Sequence, residues 1–163
     1  MAFDAFLKIE KIPGESTDAK HPDWIEISSY NLGVAVPIND KRSSGGGATP
    51  SDRAMFSEFV ITKSVDKATN VLFKNASTGA NIEKITLELC RATGAKTKFL
   101  EYTFTKVLIS SINVAGPGSD GDGDETVTFN YGTIKSEYTV LDDAGKSKGK
   151  VPFGWDLSKN ASI

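Results

Sequence analysis

The stretch KITLEL, residues 84–89, decides the fold class, because apolar and polar residues alternate along it. In an extended chain, Ile85, Leu87 and Leu89 lie on one face, and the polar residues between them lie on the other. The stretches LEYTF, residues 100–104, and TVTFNY, residues 126–131, repeat this alternation. A period of two is typical of a strand with one buried face, so the centre of the chain is predicted to form a β-sheet.

Further short strands are predicted on both sides of this centre. Extended segments precede it at residues 3–9, 24–30 and 56–62, and others follow it at residues 134–140 and 151–157. Polar loops that contain glycine or aspartate separate several of these segments. Many short strands with little helix are typical of a β-barrel or a β-sandwich, so a mainly β fold is expected.

One helix is predicted, over residues 64–77. Ser64 is a suitable N-cap, Asp66 suits the positive end of the helix dipole, and Gly79 stands where a left-handed C-cap residue would. An apolar stripe runs along the segment at spacings of three and four, formed by Val65, Ala68, Leu72 and Ala76. We expect this stripe to pack against the sheet.

The composition excludes several functional classes. The chain has 163 residues and a net charge of −2, so it lacks the basic excess that binding to nucleic acid or to an anionic membrane surface requires. Cys90 is the only cysteine, so no internal disulfide is expected. Residues 1–11 do not resemble a signal peptide, and no apolar run approaches the roughly 20 residues that span a bilayer. We expect synthesis in the cytoplasm and, if the protein leaves the cell, secretion without a cleavable signal.

The least regular segment covers residues 37–51 and contains three consecutive glycines. Nothing in it could bury an apolar face, and loops of this length in compact domains are usually functional. Its glycines, from Gly45 to Gly47, could hold an anion through backbone N–H groups. A linker or interaction loop is the favoured interpretation, because no helix begins directly after them.

Two short patterns suggest ligand binding, but each lacks essential residues. Asp120, Asp122 and Asp124 are spaced as in an EF-hand loop, yet Glu125 and Tyr131 stand where that loop needs glycine and glutamate. A solvated hairpin loop is the favoured interpretation. The sequence GKS, residues 145–147, resembles the end of a P-loop, but the first glycine of that motif is missing and no strand–loop–helix context surrounds it.

His21 is the only histidine, so a Ser-His-Asp or Cys-His site would have to use it. It lies in a polar loop, while Cys90 lies in a predicted strand, and their distance in space does not follow from the sequence. The favoured interpretation is a surface histidine and a core cysteine. A Cys/His metal site lacks ligands. We therefore expect no enzymatic activity, no cofactor and no bound metal.

Six segments of the chain, in order, resemble the Hcp proteins, the haemolysin-coregulated proteins of type VI secretion. Together they cover nearly the whole chain, and they are GESTDAKHPDWIEI (14–27), FVITKSVDKAT (59–69), ITLELCRATG (85–94), VLISSI (107–112), ETVTFNYGTI (125–134) and GWDLSKN (154–160). One departure is Leu32, where members often carry an aromatic residue before the glycine that corresponds to Gly33.

The resemblance implies a fold and a role. The fold would be a two-sheet, tail-tube-like β-barrel with one flanking helix and long loops, as a single tube domain over residues 1–163. Six copies would form a ring, and rings would stack into a secreted tube inside a contractile sheath, tipped by a VgrG-type spike. Effector proteins could travel in the lumen. No additional toxin domain is expected, because the sequence ends soon after the last predicted strand. The alternatives are a small-molecule or ion-binding β-barrel and a tail-tube protein of another contractile machine.

This role leads to expectations for individual residues. A ring requires two different patches that meet, so we expect open strand edges to close against the next subunit. The ring-to-ring contact is expected in the loop at residues 37–51, through Lys41, Arg42, Ser43, Gly45, Gly46 and Gly47. Asn31 is expected on the lumen face, in contact with cargo, because alternation directs it away from Tyr30.

Overall fold

The computed structural model describes residues 3–39, 49–50, 52–92, 95–117 and 121–163, and it is mostly β-strand. The strands, in chain order, are β1 (Phe3–Ile9), β2 (Ile25–Glu26), β3 (Ser29–Asn31), β4 (Val34–Ala35), β5 (Ile38–Asn39), β6 (Thr49–Pro50), β7 (Met55–Phe56), β8 (Phe59–Ser64), β9 (Ile82–Arg91), β10 (Thr97–Ala115), β11 (Asp124–Asn130), β12 (Thr133–Leu141), β13 (Ser147–Asp156) and β14 (Ala161–Ser162). The helix α1 (Thr69–Thr78) lies between β8 and β9. The mainly β fold predicted from the alternating segments is confirmed.

The long strand β10 belongs to two sheets. Its first part pairs with β9 on one side and with β12 on the other, and this first sheet continues to β1 and β2 and to β13 and β14. Its last part pairs with β11, which leads to β8 and β3 in the second sheet. Lys106 lies between the two parts and has a positive φ of 55°, a backbone conformation that bends the strand from one sheet into the other.

Among the described residues, the strand ladder does not close into a complete barrel. A segment that contains β2 and β3 crosses from β1 in the first sheet to β8 in the second, because β2 pairs with β1 and β3 pairs with β8. Between these strands, the Ile27 N–H donates to the Ala5 carbonyl at 3.2 Å, and the Ser28 N–H donates to the Thr62 carbonyl at 2.8 Å. Two backbone hydrogen bonds therefore join the edges that the ladder leaves open.

The helix begins at Thr69, so the prediction that it begins at Ser64 is wrong. Ser64 is the last residue of β8 and does not cap the helix. The Asp66 side chain takes that role, because it accepts the Ala68 N–H at 2.9 Å. The Asp66 N–H in turn donates to the Thr69 hydroxyl, so the polar groups before the helix are paired. The end is as predicted, because Gly79 has a φ of 64° and its N–H donates to a helix carbonyl.

The two sheets and the helix enclose one apolar cluster. Phe59 lies at its centre, with ring centroids 4.4 Å from Phe104 and 5.8 Å from Phe129. The helix contributes Ala68 and Leu72, both fully buried, and both belong to the predicted stripe. No helix among the described residues is long and apolar enough to cross a membrane.

Candidate functional site

Along its paired residues, the outer face of the second sheet carries one charged side chain, Asp124, at the end of the sheet. Strand pairing and alternation assign to this face Ser29, Asn31, Val60, Thr62, Ser64, Leu108, Ser111, Asn113, Ala115, Asp124, Thr126, Thr128 and Asn130. The inner positions of the same strands, including Phe59, Ile61, Val127 and Phe129, are buried. A sheet face with a single charge is unusual in a chain of which 25% is charged, because solvated sheet faces normally carry both signs of charge.

Asn31 belongs to this outer face, at its border. It is exposed, it is the last residue of β3, and it pairs with Val60. Tyr30 faces the other way, and its ring contacts that of Tyr102. The prediction that Asn31 and Tyr30 point in opposite directions therefore agrees with the strand geometry.

A second surface lies at the far edge of the first sheet. From Ser147 to Phe153, the outer edge of β13 pairs with no strand in the part of the chain that the structure describes, since β14 joins it only at Trp155 and Asp156. Val151 is 59% exposed and Phe153 is 48% exposed. Tyr138 lies directly opposite Val151 on β12. Exposed apolar side chains beside an unpaired strand edge are typical of a surface that another chain covers.

A third exposed apolar region lies near the loop predicted to contact the next ring. Val34, Ile38 and Met55 are each more than half exposed. Val34 lies in β4 and Met55 lies in β7, and these two strands pair with each other. Lys41, Arg42, Ser43, Gly45, Gly46 and Gly47 lie outside the residues that the structure describes. The stacking role of these six residues stays a prediction.

The short patterns that resemble ligand sites occupy ordinary hairpin geometry where they are described. Gly145 has a φ of 79° in the turn between β12 and β13, and its N–H donates to the Asp142 carbonyl. The Asp142 carboxylate accepts the N–H of Ala144 and of Lys146, which is a local turn and not a phosphate loop. Asp124 begins β11, and Asp120 lies outside the described residues.

A buried ion pair joins the second sheet to the residues that precede the helix. Lys63 and Glu125 are both 0% exposed, and Lys63 Nζ lies 3.0 Å from Glu125 Oε1 and 2.8 Å from Asp66 Oδ1. The Thr69 hydroxyl donates to Glu125 Oε2 at 2.6 Å. Oε1 lacks a well-directed hydrogen bond within the described chain, so its partner is the lysine charge.

A second polar cluster lies on the outer side of the first sheet, where the loop before β2 covers β1 and β9. His21 is 3% exposed, so its prediction as a surface histidine is wrong. Its Nδ1 lies 2.8 Å from Asp18 Oδ1, and its Nε2 lies 2.8 Å from Glu88 Oε2. The ring stacks on Phe6 at a centroid distance of 4.1 Å, and Trp24 meets its edge. The loop folds the histidine inward because both ring nitrogens lie beside carboxylates and the ring packs against Phe6 and Trp24.

Cys90 is buried, as predicted, but it lies beside His21 and not in the main apolar cluster. Burial and the neighbouring Glu88 charge raise the pKa of the Cys90 thiol. Hydrogen bonds from Lys96 and His21 hold the pKa of Asp18 well below its usual range. Burial opposes ionisation of Glu88, but the hydrogen bond from His21 and the charge of Lys98 outweigh it and lower the pKa of Glu88.

Gly14 allows the covering loop to lie close to the strands. A Cβ atom at this position would lie 2.4 Å from the Trp24 carbonyl oxygen and 2.7 Å from Ile25 Cα, distances at which backbone must move. The Gly14 N–H donates to the Asp23 carbonyl at 2.8 Å, so the two ends of the loop are joined by a hydrogen bond. No side chain is compatible with this approach.

Comparison with known proteins gives a consistent result. Residues 6–138 match the sequence profile of a family described as type VI secretion system effector, Hcp. The protein hcp1 of Pseudomonas aeruginosa is 30% identical over 162 residues, which cover 98% of each chain. A solved structure of a type six secretion system protein has a TM-score of 0.91 and 35% identity, over 99% of this chain and 100% of that one. The crystal structure of Hcp1 from Salmonella typhimurium has a TM-score of 0.81 and 30% identity, over 100% of both chains.

Proposed function

Because the chain belongs to the Hcp family of type VI secretion proteins, we propose that it is a structural subunit of the inner tube, in which six copies form a ring and rings stack end to end. The observation that carries this proposal is the apolar, unpaired edge of β13. Burial of Val151 and Phe153 against a neighbour removes apolar surface from water, and pairing of the edge satisfies its free backbone groups. The role is structural and needs no catalytic step.

Ring geometry explains why the edge of β13 meets a different surface on the neighbour. A two-fold dimer would pair the edge with itself, whereas a ring joins two unlike patches and closes after a fixed rotation. The outer face of the second sheet suits the lumen, because a wall whose only charge along the paired residues is Asp124, at the end of the sheet, accepts passengers of either sign. On the basis of family membership, we extend the proposal to three partners, which are the VgrG-type spike, the contractile sheath and effector proteins. On the same basis, we propose that the protein is secreted without a cleavable signal.

The solution mass of the purified protein by light scattering tests the ring. We expect a mass near six times the 17.5 kDa of one chain. His21→Ala and Cys90→Ser should leave the number of subunits unchanged, because neither residue lies on the proposed assembly surfaces. A stable monomer at micromolar concentration would contradict the proposal.

Deletion of residues 43–48 should separate ring formation from stacking. We expect the shortened protein to keep the mass of a ring, since these residues are distant in sequence from β13, and to form few or no tubes by electron microscopy. A matched deletion of residues 117–122 leaves Gly116 and Gly123 as a two-residue turn between β10 and β11, and it should stack normally. Normal tubes from the protein that lacks residues 43–48 would exclude this loop as the contact between rings.

A large side chain at position 31 should interfere with cargo. We expect Asn31→Trp to lower the amount of effector that co-purifies with the rings, because the indole would project from the proposed lumen face, while folding stays unchanged. Asn70→Trp places the same side chain at an exposed position of the helix and should retain cargo. Equal effector retention by the two variants would remove Asn31 from the lumen face.

A further inference from the structure

We propose that His21, Glu88 and Cys90 form a zinc-binding site that fixes the loop before β2 to strand β9. The three ligand atoms, a ring nitrogen, a carboxylate oxygen and a sulfur, all lie within 4.8 Å of one another. His21 and Cys90 are almost fully buried, at 3% and 1% exposure. Nitrogen, sulfur and carboxylate oxygen are the ligands that zinc prefers, whereas calcium and magnesium prefer oxygen alone.

The hydrogen bond on the other side of the histidine ring supports this assignment. Asp18 Oδ1 lies 2.8 Å from His21 Nδ1, so this carboxylate can hold the ring with Nε2 on the side of Glu88. A carboxylate that holds a histidine in this way is the usual outer partner of a metal-bound imidazole. Asp18 is therefore a positioning residue and not a ligand.

The carboxylate of Glu88 divides its two oxygens between different partners. Oε1 lies 3.3 Å from Lys98 Nζ, while Oε2 lies 2.8 Å from His21 Nε2 and points into the cluster. Zinc bonds of about 2.0 to 2.3 Å place the ligand atoms about 3.3 to 3.8 Å apart. His21 Nε2 and Glu88 Oε2, which are 2.8 Å apart, must therefore separate by about 0.5 Å, and the Cys90 sulfur, within 4.8 Å of both, must move by about 1 Å at most. The cluster opens on a cleft of about 340 Å³, which can supply water as a fourth ligand.

The lysines around the site do not exclude a metal ion, because three of the four that line the cleft already pair with carboxylates. The cleft is lined by Lys20, Lys96, Lys98 and Lys150. Lys96 pairs with Asp4 and Asp18, Lys98 pairs with Glu88 and Glu101, and Lys150 pairs with Glu137. Binding of zinc to the Cys90 sulfur releases the thiol proton, so the positive charge added at the site is smaller than that of the free ion.

Cobalt absorption tests the site directly, because Cys90 is the only cysteine in the chain. Protein without an affinity tag is treated with a chelator and titrated with Co²⁺. We expect a cobalt–thiolate band in the near ultraviolet that saturates at one cobalt per chain and disappears when Zn²⁺ is added. Such a band can come only from Cys90. Its absence in the folded protein would overturn the proposal.

Variants separate the ligands from their neighbours. Cys90→Ala should abolish the band, and Asp18→Asn should weaken cobalt binding about 10- to 100-fold, as expected for an outer partner. Glu101→Gln is the matched control, because Glu101 also pairs with Lys98 but lies outside the ligand set. This variant should bind cobalt normally.

Zinc should raise the melting temperature of the wild type and not that of Cys90→Ala. A zinc-dependent rise that Cys90→Ala retains would also overturn the proposal.

Discussion

Lys63→Met is expected to lower the free energy of unfolding by about 3 to 5 kcal/mol. The substitution keeps most of the side-chain volume but removes the cation that faces Glu125, which is 0% exposed. The carboxylate then remains buried without the lysine charge that faces it. Urea denaturation gives the free energy of unfolding from the transition midpoint and slope.

Two comparisons identify the cause of this loss. Lys150→Met removes a lysine from the largely exposed pair with Glu137 and should cost at most about 1 kcal/mol. The double variant Lys63→Met with Glu125→Gln removes both charges and leaves an oxygen that can accept the Thr69 hydroxyl, so it should recover more than half of the loss. A double variant as unstable as Lys63→Met alone would show that lysine packing, and not the unpaired charge, stabilises this region.

Val151→Asp is expected to break the ring and leave a folded monomer. Val151 is 59% exposed in the single chain, so the free energy of unfolding of the monomer should change by less than about 0.5 kcal/mol. In the ring, the same carboxylate would lie in an apolar contact at every interface. A cost of about 3 kcal/mol per interface weakens each contact by about 100-fold. Light scattering and circular dichroism measure the two properties on the same sample.

The control uses the opposite face of the same sheet. Thr139 lies on β12 next to Val140 in sequence, but alternation directs it away from the apolar side chains around Val151. Thr139→Asp introduces the same charge and should leave the ring intact. Rings from Val151→Asp, or monomers from both variants, would show that this strip is not the contact between subunits.

Local periodicity in the sequence was sufficient for the main elements of the fold. The alternation in residues 84–89, 100–104 and 126–131 predicts three strands, and the structure buries their inner residues except Leu100 and Tyr102, which are partly buried. Gly79 ends the helix as predicted, because left-handed backbone is a local property of glycine. The start of the helix was misplaced, because several polar residues before it can serve as caps and only the Asp66 contacts distinguish them.

Alternation does not distinguish a core face from a face that another chain covers. Val127 and Phe129 are buried within the chain, whereas Val151 and Phe153 show the same pattern and are exposed. The difference depends on which parts of the first sheet the second sheet covers. No local sequence pattern encodes that coverage. In the sequence, Lys63 and Glu125 each occupy an inward position in the alternation of their strands. Only the tertiary structure shows that they pair, because the pair requires the two strands to be neighbours.

The sequence by itself determined the strand-rich class, the helix end and, through six ordered segments, the family. Tertiary structure alone decided that β10 bends into two sheets, that β13 has an unpaired apolar edge, and that His21 lies between Asp18 and Glu88 beside Cys90. The physical reason is the range of the interactions. Periodicity and capping act over a few residues, whereas the histidine cluster joins groups 67 positions apart whose approach depends on the close passage of the loop at Gly14.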